Sequence, residues 1–227
     1  MPRIKLLLCG LLAAGFLNAQ NKIYVFAGPQ ATAARYTILN QKQEMKLKYG
    51  FQAGVNMKTL FEGPLYFAPA AFYSLKGYDV EFTEFRDPPS VHAINNNTTI
   101  HTFELAPLLQ IDLSKDASHT YFKFGPSLDF QLFGKETFDT VINGNRGTVS
   151  RNMKFSYTDY GHYSANFLLQ FGYESAGGLM IFAQYTHGMG SINNHDGGPK
   201  IRHRAYGISL GWLLNRKKIV IDTRNNP

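Results

Sequence analysis

Apolar and polar residues alternate with a period of two along much of the chain. In residues 121–132, Phe122 and Phe124 share one face, whereas Lys123 and Ser127 share the other. Three further segments follow the same rule, and helical spacing is nowhere comparable. Together with weaker versions, the pattern predicts eight strands, at about residues 22–35, 47–59, 65–77, 103–113, 121–132, 163–173, 178–187 and 205–214.

The connections between these strands alternate between short and long. The short ones are 62–64, 114–118 and 175–178, and the long ones are 36–46, 78–98, 134–158 and 188–201. Short periplasmic turns, long extracellular loops and an even strand number are typical of barrels in the outer membrane. We therefore predict an all-β fold, an eight-stranded antiparallel up-and-down transmembrane β-barrel.

A secreted soluble β-barrel that binds a small apolar ligand shows the same alternation and is the alternative. The polar face favours the membrane, because its glycine, serine, alanine, asparagine and glutamine suit a narrow interior better than bulk water. Aromatic residues also gather near the strand ends, as at headgroup level. They are Tyr49, Tyr160, Tyr163, Tyr185 and Tyr206 toward the long loops, and Phe61, Tyr173 and Trp212 toward the short turns. The side chains expected to contact lipid include Leu109, Phe130, Leu169 and Leu210.

The beginning of the chain is typical of a secretory signal. Arg3 and Lys5 precede an apolar run over 6–17 that is too short to span a bilayer. Cys9 is the single cysteine, so the exported chain has neither a disulfide nor a thiol nucleophile. We expect a signal peptide at 1–19, the barrel at 20–214 and a basic tail at 215–227.

Composition agrees with an exported β protein. Aromatic residues make up 14% of the 227 residues and charged residues 17%, against about 25% charged in average proteins. The formal net charge of +7 excludes little by itself. Nucleic acid is not an expected partner, because the predicted location is the cell exterior.

Four segments follow one another as in a known family. They are Tyr-Gly-Phe-Gln-Ala-Gly-Val at 49–55, Phe-Glu-Leu-Ala-Pro-Leu-Leu at 103–109, Phe-Gly-Pro-Ser at 124–127 and Ala-Gln-Tyr-Thr-His-Gly at 183–188. In order and spacing they resemble the PorT-like family of outer-membrane β-barrel domains. Gln184 departs from the family, which often has arginine there, and a basic tail follows Trp212 where barrels often end on an aromatic residue.

The resemblance implies a Gram-negative outer-membrane location and no catalytic site. We further expect contact with outer membrane lipids and lipopolysaccharide and assembly by the barrel-assembly machinery, and the resemblance allows an envelope or secretion protein as partner. We therefore expect a non-enzymatic protein with a structural, binding or accessory role in the envelope, linked through the family to protein secretion.

Candidate catalytic and metal-binding residues are few. His162 and Ser164 are two residues apart on one strand, as a base and a nucleophile would be in a barrel-embedded lipid hydrolase. They fall on the polar face, however, and no orienting carboxylate can be assigned. Four residues near the last long loop have spacings that match no metal signature: His187, His195, Asp196 and His203. The sequence predicts no catalytic residue, cofactor or metal.

The polar face predicts a network of charges inside the barrel. An eight-stranded barrel is only wide enough for side chains to fill, and charges buried there must pair. The expected members of this lumen polar network are Glu104, Asp112, Lys123 and Asp129. We expect a plugged lumen in which Asp129 or Glu104 neutralises Lys123.

Basic residues are frequent on and beside the long loops. Ammonium and guanidinium groups at headgroup height can pair with lipopolysaccharide phosphates, and arginine does so in bidentate fashion. The candidate lipopolysaccharide contacts are Lys200, Arg202 and Arg204.

Overall fold

The computed structural model describes residues 21–83 and 89–215. The expected signal peptide and all but the first residue of the basic tail lie outside these residues. In the described part no helix is long and apolar enough to cross a bilayer. The elements are thirteen strands: β1 (Lys22–Ile38), β2 (Gln41–Lys42), β3 (Glu44–Lys46), β4 (Lys48–Glu62), β5 (Leu65–Phe67), β6 (Ala70–Glu81), β7 (Asn95–Ala106), β8 (Leu109–Asp112), β9 (His119–Ile142), β10 (Asn145–Asn152), β11 (Tyr163–Glu174), β12 (Leu179–Gly188) and β13 (Lys200–Leu213).

Antiparallel pairing connects the long strands in a closed series, which we call the ring. β1 pairs with β4 on one side and with β13 on the other. From β4 the series continues through β6, β7, β9, β11 and β12 to β13. The sheet therefore returns to its first strand and encloses an interior, the lumen.

Two prolines divide strands that the alternation predicts as continuous. Pro69 separates β5 from β6, and Pro107 separates β7 from β8. Proline has no N–H to donate to a neighbouring strand, so the ladder is interrupted there. The Ala68 N–H donates to the Leu108 carbonyl at 2.8 Å and links the two breaks. These two interruptions are one reason why the structure has thirteen strands in its described residues, whereas the sequence predicts eight.

The other additional strands lie at the long-loop end. β9 continues to Ile142, turns through Asn143 and Gly144 at φ 51° and 80°, and returns as β10. Two central residues with positive φ match the right-handed twist of a hairpin. The prediction of a loop over 134–158 is therefore wrong for the part occupied by β9 and β10, and that over 36–46 is wrong where β1, β2 and β3 occupy it.

The β9–β10 hairpin is held by hydrogen bonds between side chains. The Thr148 hydroxyl donates to the Asp139 carboxylate at 2.7 Å, and the Asn95 amide donates to it at 2.9 Å. These two hydrogen bonds hold the pKa of the Asp139 carboxyl below its usual range. The hairpin is thus an ordered extension of the sheet.

The polar face of every long strand lies inside. Lys123 and Asp129 are buried in the lumen, while the alternate residues of β9 point outward. The outward orientation predicted for Leu109, Phe130, Leu169 and Leu210 is confirmed: the first and last are exposed and the other two are half-buried. An outer face of exposed apolar side chains around a polar interior is the reverse of a soluble protein.

Two apolar clusters lie on either side of a polar layer in the lumen. The first includes Phe26, Phe72 and Phe182. The Phe72 ring is tilted against Phe26 at a centroid distance of 5.7 Å, and the Phe182 ring meets Phe26 edge to face at 5.4 Å. The second includes Tyr36 and Tyr78 nearer the long connections. A layer of polar side chains on the same strands separates them, so the interior is filled.

Candidate functional site

Three charged side chains meet in the polar layer between the two apolar clusters. The Lys76 Nζ lies 2.7 Å from Glu104 Oε1 and 2.7 Å from Asp129 Oδ2. None of the three side chains is more than 1% exposed. We call this group the central triad.

Strand register explains the triad. Glu104 on β7 lies directly opposite Asp129 on β9, an arrangement in which two carboxylates repel each other. Lys76 enters from β6, the strand on the other side of β7, and its single cation contacts one oxygen of each carboxylate. The other oxygens, Glu104 Oε2 and Asp129 Oδ1, have no hydrogen-bond partner among the described residues. The Ser164 hydroxyl donates a further hydrogen bond to Asp129 at 3.2 Å.

A second charged group lies at the short-turn end of the lumen, around Lys58. Its ammonium is 2.7 Å from Asp112 Oδ2, 2.8 Å from Glu174 Oε2 and 3.1 Å from His119 Nε2. Lys22 adds a second cation, 2.7 Å from Glu174. The Tyr24 hydroxyl also donates to Glu174. We call Lys22, Lys58, Asp112, His119 and Glu174 the short-turn network.

Lys123 belongs to neither group, and the predicted pairing with Asp129 or Glu104 is wrong. Both carboxylates are held by Lys76 instead. The Lys123 ammonium lies 5.3 Å from the centre of the Tyr121 ring, an attraction of the cation–π type. Within residues 21–83 and 89–215 it has no carboxylate within 4.0 Å. All four residues of the predicted network are buried. Glu104 and Asp129 belong to the central triad, Asp112 belongs to the short-turn network, and Lys123 belongs to neither.

The sequence contained a signal for Lys76. Lys76 follows Phe72 by four positions in the predicted strand at 65–77, so both lie on one face of that strand. The structure confirms this: Phe72 and Lys76 are both buried, on β6. The spacing of the two residues therefore assigns Lys76 to the interior.

The residues considered for catalysis and metal binding are not brought together. Ser164 is buried and hydrogen-bonded to Asp129, whereas His162 precedes β11 and is exposed. His203 is buried in the lumen and His187 is exposed on the outer face. Among the described residues, no group of three side chains of metal-ligating type is placed to hold an ion.

The basic residues of β13 form an outward-facing group with one residue that the sequence reasoning missed. Arg202 lies directly opposite Arg35 on β1, and Lys200 lies opposite Thr37. Arg204 lies opposite His187 on β12. We call Arg35, Lys200, Arg202 and Arg204 the basic cluster.

The basic cluster has no carboxylate within 4.0 Å among the described residues. In the described part of the chain none of its four residues takes part in a salt bridge. Like charges directly opposite each other on paired strands destabilise a sheet. Arg35, Lys200 and Arg202 also line a hollow of about 350 Å³ together with Thr37 and Asn40. The cluster is therefore arranged to receive an anion.

Rings occupy both ends of the outer face. Tyr49 and Tyr206 are exposed toward the long connections, and Tyr173 and Trp212 toward the short turns. Tyr160 does not belong to this set: it is 2% exposed, and its hydroxyl donates to Glu136 at 2.8 Å. The other rings stand where the headgroups of a bilayer would lie.

Comparison with known proteins decides the family. A family model described as "Outer membrane protein beta-barrel domain" matches residues 16–194. The chain belongs to this family. Membership indicates the Gram-negative outer membrane as its location, in agreement with the apolar outer face. No curated protein matches the chain.

Several solved structures are similar to the chain at low sequence identity. Ail, the attachment invasion locus protein of Yersinia pestis in complex with the heparin analogue sucrose octasulfate, is 12% identical, with a TM-score of 0.43 over 86% of this chain and 99% of that one. Neisserial surface protein A (NspA) is 11% identical, with a TM-score of 0.41 over 85% of this chain and 97% of that one. The outer membrane protein OprG from Pseudomonas aeruginosa is 10% identical, with a TM-score of 0.40 over 87% of this chain and 97% of that one.

Proposed function

We propose that the protein is a non-enzymatic, eight-stranded up-and-down barrel of the outer membrane that binds lipopolysaccharide phosphates at its outer rim. The observation that carries the proposal is the basic cluster, in which Arg35 lies opposite Arg202 and neither forms a salt bridge within residues 21–83 and 89–215. A phosphate between them relieves the repulsion and accepts bidentate hydrogen bonds from arginine.

The strand pairing supports the proposed architecture. The ring passes through β1, β4, β6, β7, β9, β11, β12 and β13 before it closes. A barrel of this size is filled by side chains, as the two apolar clusters and the polar layer fill this one. Function then lies on the outer face and on the connections.

A polar hollow beside the basic cluster suits the sugar part of lipopolysaccharide. It has a volume of about 400 Å³ and shares Thr37, Asn40 and Lys200 with the neighbouring hollow. Its other walls include Asn193 and Asn194, whose amides can donate to and accept from sugar hydroxyls. The charged and the polar hollow therefore form one continuous surface.

Neutralising the cluster tests the proposal. The triple variant Lys200→Gln, Arg202→Gln, Arg204→Gln should weaken retention of lipopolysaccharide by the purified barrel about tenfold or more. A matched control, Lys135→Gln, Arg146→Gln, Lys154→Gln, removes the same charge from exposed positions on and after the β9–β10 hairpin. The control should leave retention within about twofold.

Two results would contradict the proposal. Unchanged retention in the cluster variant is one, and an equal loss in both variants is the other, since it would indicate attraction to net charge alone. Adding Arg35→Gln to the triple variant should lower retention further. Salt should weaken binding by the original protein more than by the triple variant, because salt screens exposed charges.

The narrower assignments belong to the same proposal. They are a signal peptide at 1–19, a barrel at 20–214, a basic tail at 215–227, and membership of the PorT-like group with a partner in the envelope or in secretion. Motifs on β4, β7, β9 and β12 support the PorT-like group. Co-purification from intact outer membranes, with the cluster variant beside the original protein, would identify a partner protein. If no secretion component co-purifies, the proposed link to secretion is contradicted.

A further inference from the structure

The outer face carries an apolar groove of about 610 Å³ near the basic cluster. Its floor includes the small residues Ala31 and Ala183, and its walls include the rings of Tyr49, Tyr206 and Phe171. The two tyrosines on β12 and β13, Tyr185 and Tyr206, pack with ring centroids 5.0 Å apart. Small residues between rigid rings make the outer face concave here.

The groove continues directly from the basic cluster along β13. Alternate residues of a strand share a face and are about 7 Å apart, and here the outward series is Arg202, Arg204, Tyr206 and Ile208. Tyr206 lies opposite Ala31 on one side and Tyr185 on the other. Arg204 is therefore one outward position above the groove, on the side of the long connections.

Hydrogen bonding marks the boundary between the two surfaces. The Tyr185 hydroxyl and His187 Nδ1 are 3.0 Å apart, and His187 lies opposite Arg204. Amphipathic rings and basic side chains prefer the headgroup level of a bilayer. The groove lies on the membrane side of that level, where acyl chains begin.

We infer that the groove seats an acyl chain of the same lipopolysaccharide molecule whose phosphate binds the basic cluster. The inference rests on the proposed function and names its ligand more closely, as an acylated phosphoglycolipid held at both its phosphate and its chain. The geometry points to one molecule because the two surfaces share β13 and are one residue pair apart. Apolar contact between the acyl chain and the groove adds to the binding free energy of the phosphate contact. Lipid elsewhere on the outer face has neither a groove nor the basic cluster to bind.

Filling the groove is the direct experiment. Ala31→Trp places a large ring on the floor without changing the basic cluster, and Ala183→Trp does the same from β12. Ala27→Trp is the matched control, because Ala27 lies on the same face of β1, is exposed, and is outside the groove. Heat-modifiable gel mobility would first show that each variant is folded.

Three probes separate the chain from the phosphate: purified lipopolysaccharide, its fully deacylated phosphosugar, and phosphatidylglycerol vesicles. Relative to Ala27→Trp, both groove variants should retain lipopolysaccharide about tenfold less, the equivalent of roughly two buried methylene groups. Retention of the deacylated phosphosugar should be unchanged. Retention of phosphatidylglycerol should be equal in all variants.

The outcomes distinguish this inference from the proposed function. If the basic-cluster triple variant loses lipopolysaccharide but both groove variants behave as Ala27→Trp does, the groove inference fails and the proposed function stands. If the triple variant loses nothing, the proposed function fails. If the groove variants lose phosphatidylglycerol as much as lipopolysaccharide, the occupant is a phospholipid and the inference is overturned.

Discussion

The central triad and the short-turn network are both built from a lysine and two carboxylates, but they differ in how many other cations lie beside those carboxylates. Each has a buried lysine between two carboxylates at about the same distances, 2.7 Å in the triad and 2.7 and 2.8 Å around Lys58. In the triad no other cation contacts either carboxylate among the described residues. In the short-turn network Lys22, with a side chain 46% exposed, also reaches Glu174, and His119 lies against Asp112.

The two sites also differ in their access to water. The triad is enclosed between the two apolar clusters, whereas Lys58 and Asp112 border a hollow of about 260 Å³ at the short-turn end. Charges near water are stabilised by it, and charges away from water depend on each other. The comparison teaches that position in the lumen, more than ion-pair geometry, decides how much a lost partner costs.

The largest expected effect is that of Lys76→Met. It leaves two carboxylates opposite each other with no cation, which should lower the free energy of unfolding by about 3–5 kcal/mol. Denaturant unfolding of the protein folded into bilayers would measure it. Adding Glu104→Gln and Asp129→Asn should restore most of the loss, and a triple variant as unstable as Lys76→Met would contradict the assignment.

Lys58→Met should lower the free energy of unfolding by less, about 2 kcal/mol, because the cation of Lys22 remains beside Glu174 and the site borders a hollow at the short-turn end. The same unfolding measurement applies. Lys22→Met together with Lys58→Met should then approach the cost of Lys76→Met. A cost for Lys58→Met alone that equals or exceeds that of Lys76→Met would break the comparison.

Lys123→Met should change the free energy of unfolding by less than about 1 kcal/mol, in either direction. Its ammonium has no ion pair to lose, and an apolar side chain of similar length avoids the cost of burying a charge. Measured beside Lys76→Met, it separates a paired lysine from an unpaired one in the same lumen. A loss of several kcal/mol would show that Lys123 neutralises a carboxylate after all.

The smallest effect is expected in conductance. The original protein and Lys58→Met should both lack large, stable single-channel steps in planar bilayers, because loosening the short-turn end leaves the triad layer and the apolar clusters in place. Lys76→Met is the informative third sample, since it alters the enclosed layer itself. Large steps from the original protein would refute a plugged lumen.

Alternation along the chain was enough to predict which face of each strand lies inside, as for Phe122 and Lys123 on β9. It could not predict partners, because Glu104 meets Asp129 through register and Lys76 arrives from the next strand. Arg35 joins Arg202 only because the first and last strands of the ring pair. The β9–β10 hairpin, by contrast, had a local signal in Asn143-Gly144 between Ile142 and Thr148 that was readable from the sequence.

The turn of the β9–β10 hairpin is also a site where a peptide can be inserted. Residues 145–152 are exposed along their whole length, and β10 pairs with β9 alone. A peptide tag placed between Asn143 and Gly144 lengthens a solvent-exposed turn and leaves every strand pair of the ring intact. Such a tag would be displayed on whichever side of the membrane the long connections occupy, and antibody labelling of intact cells would show which side that is.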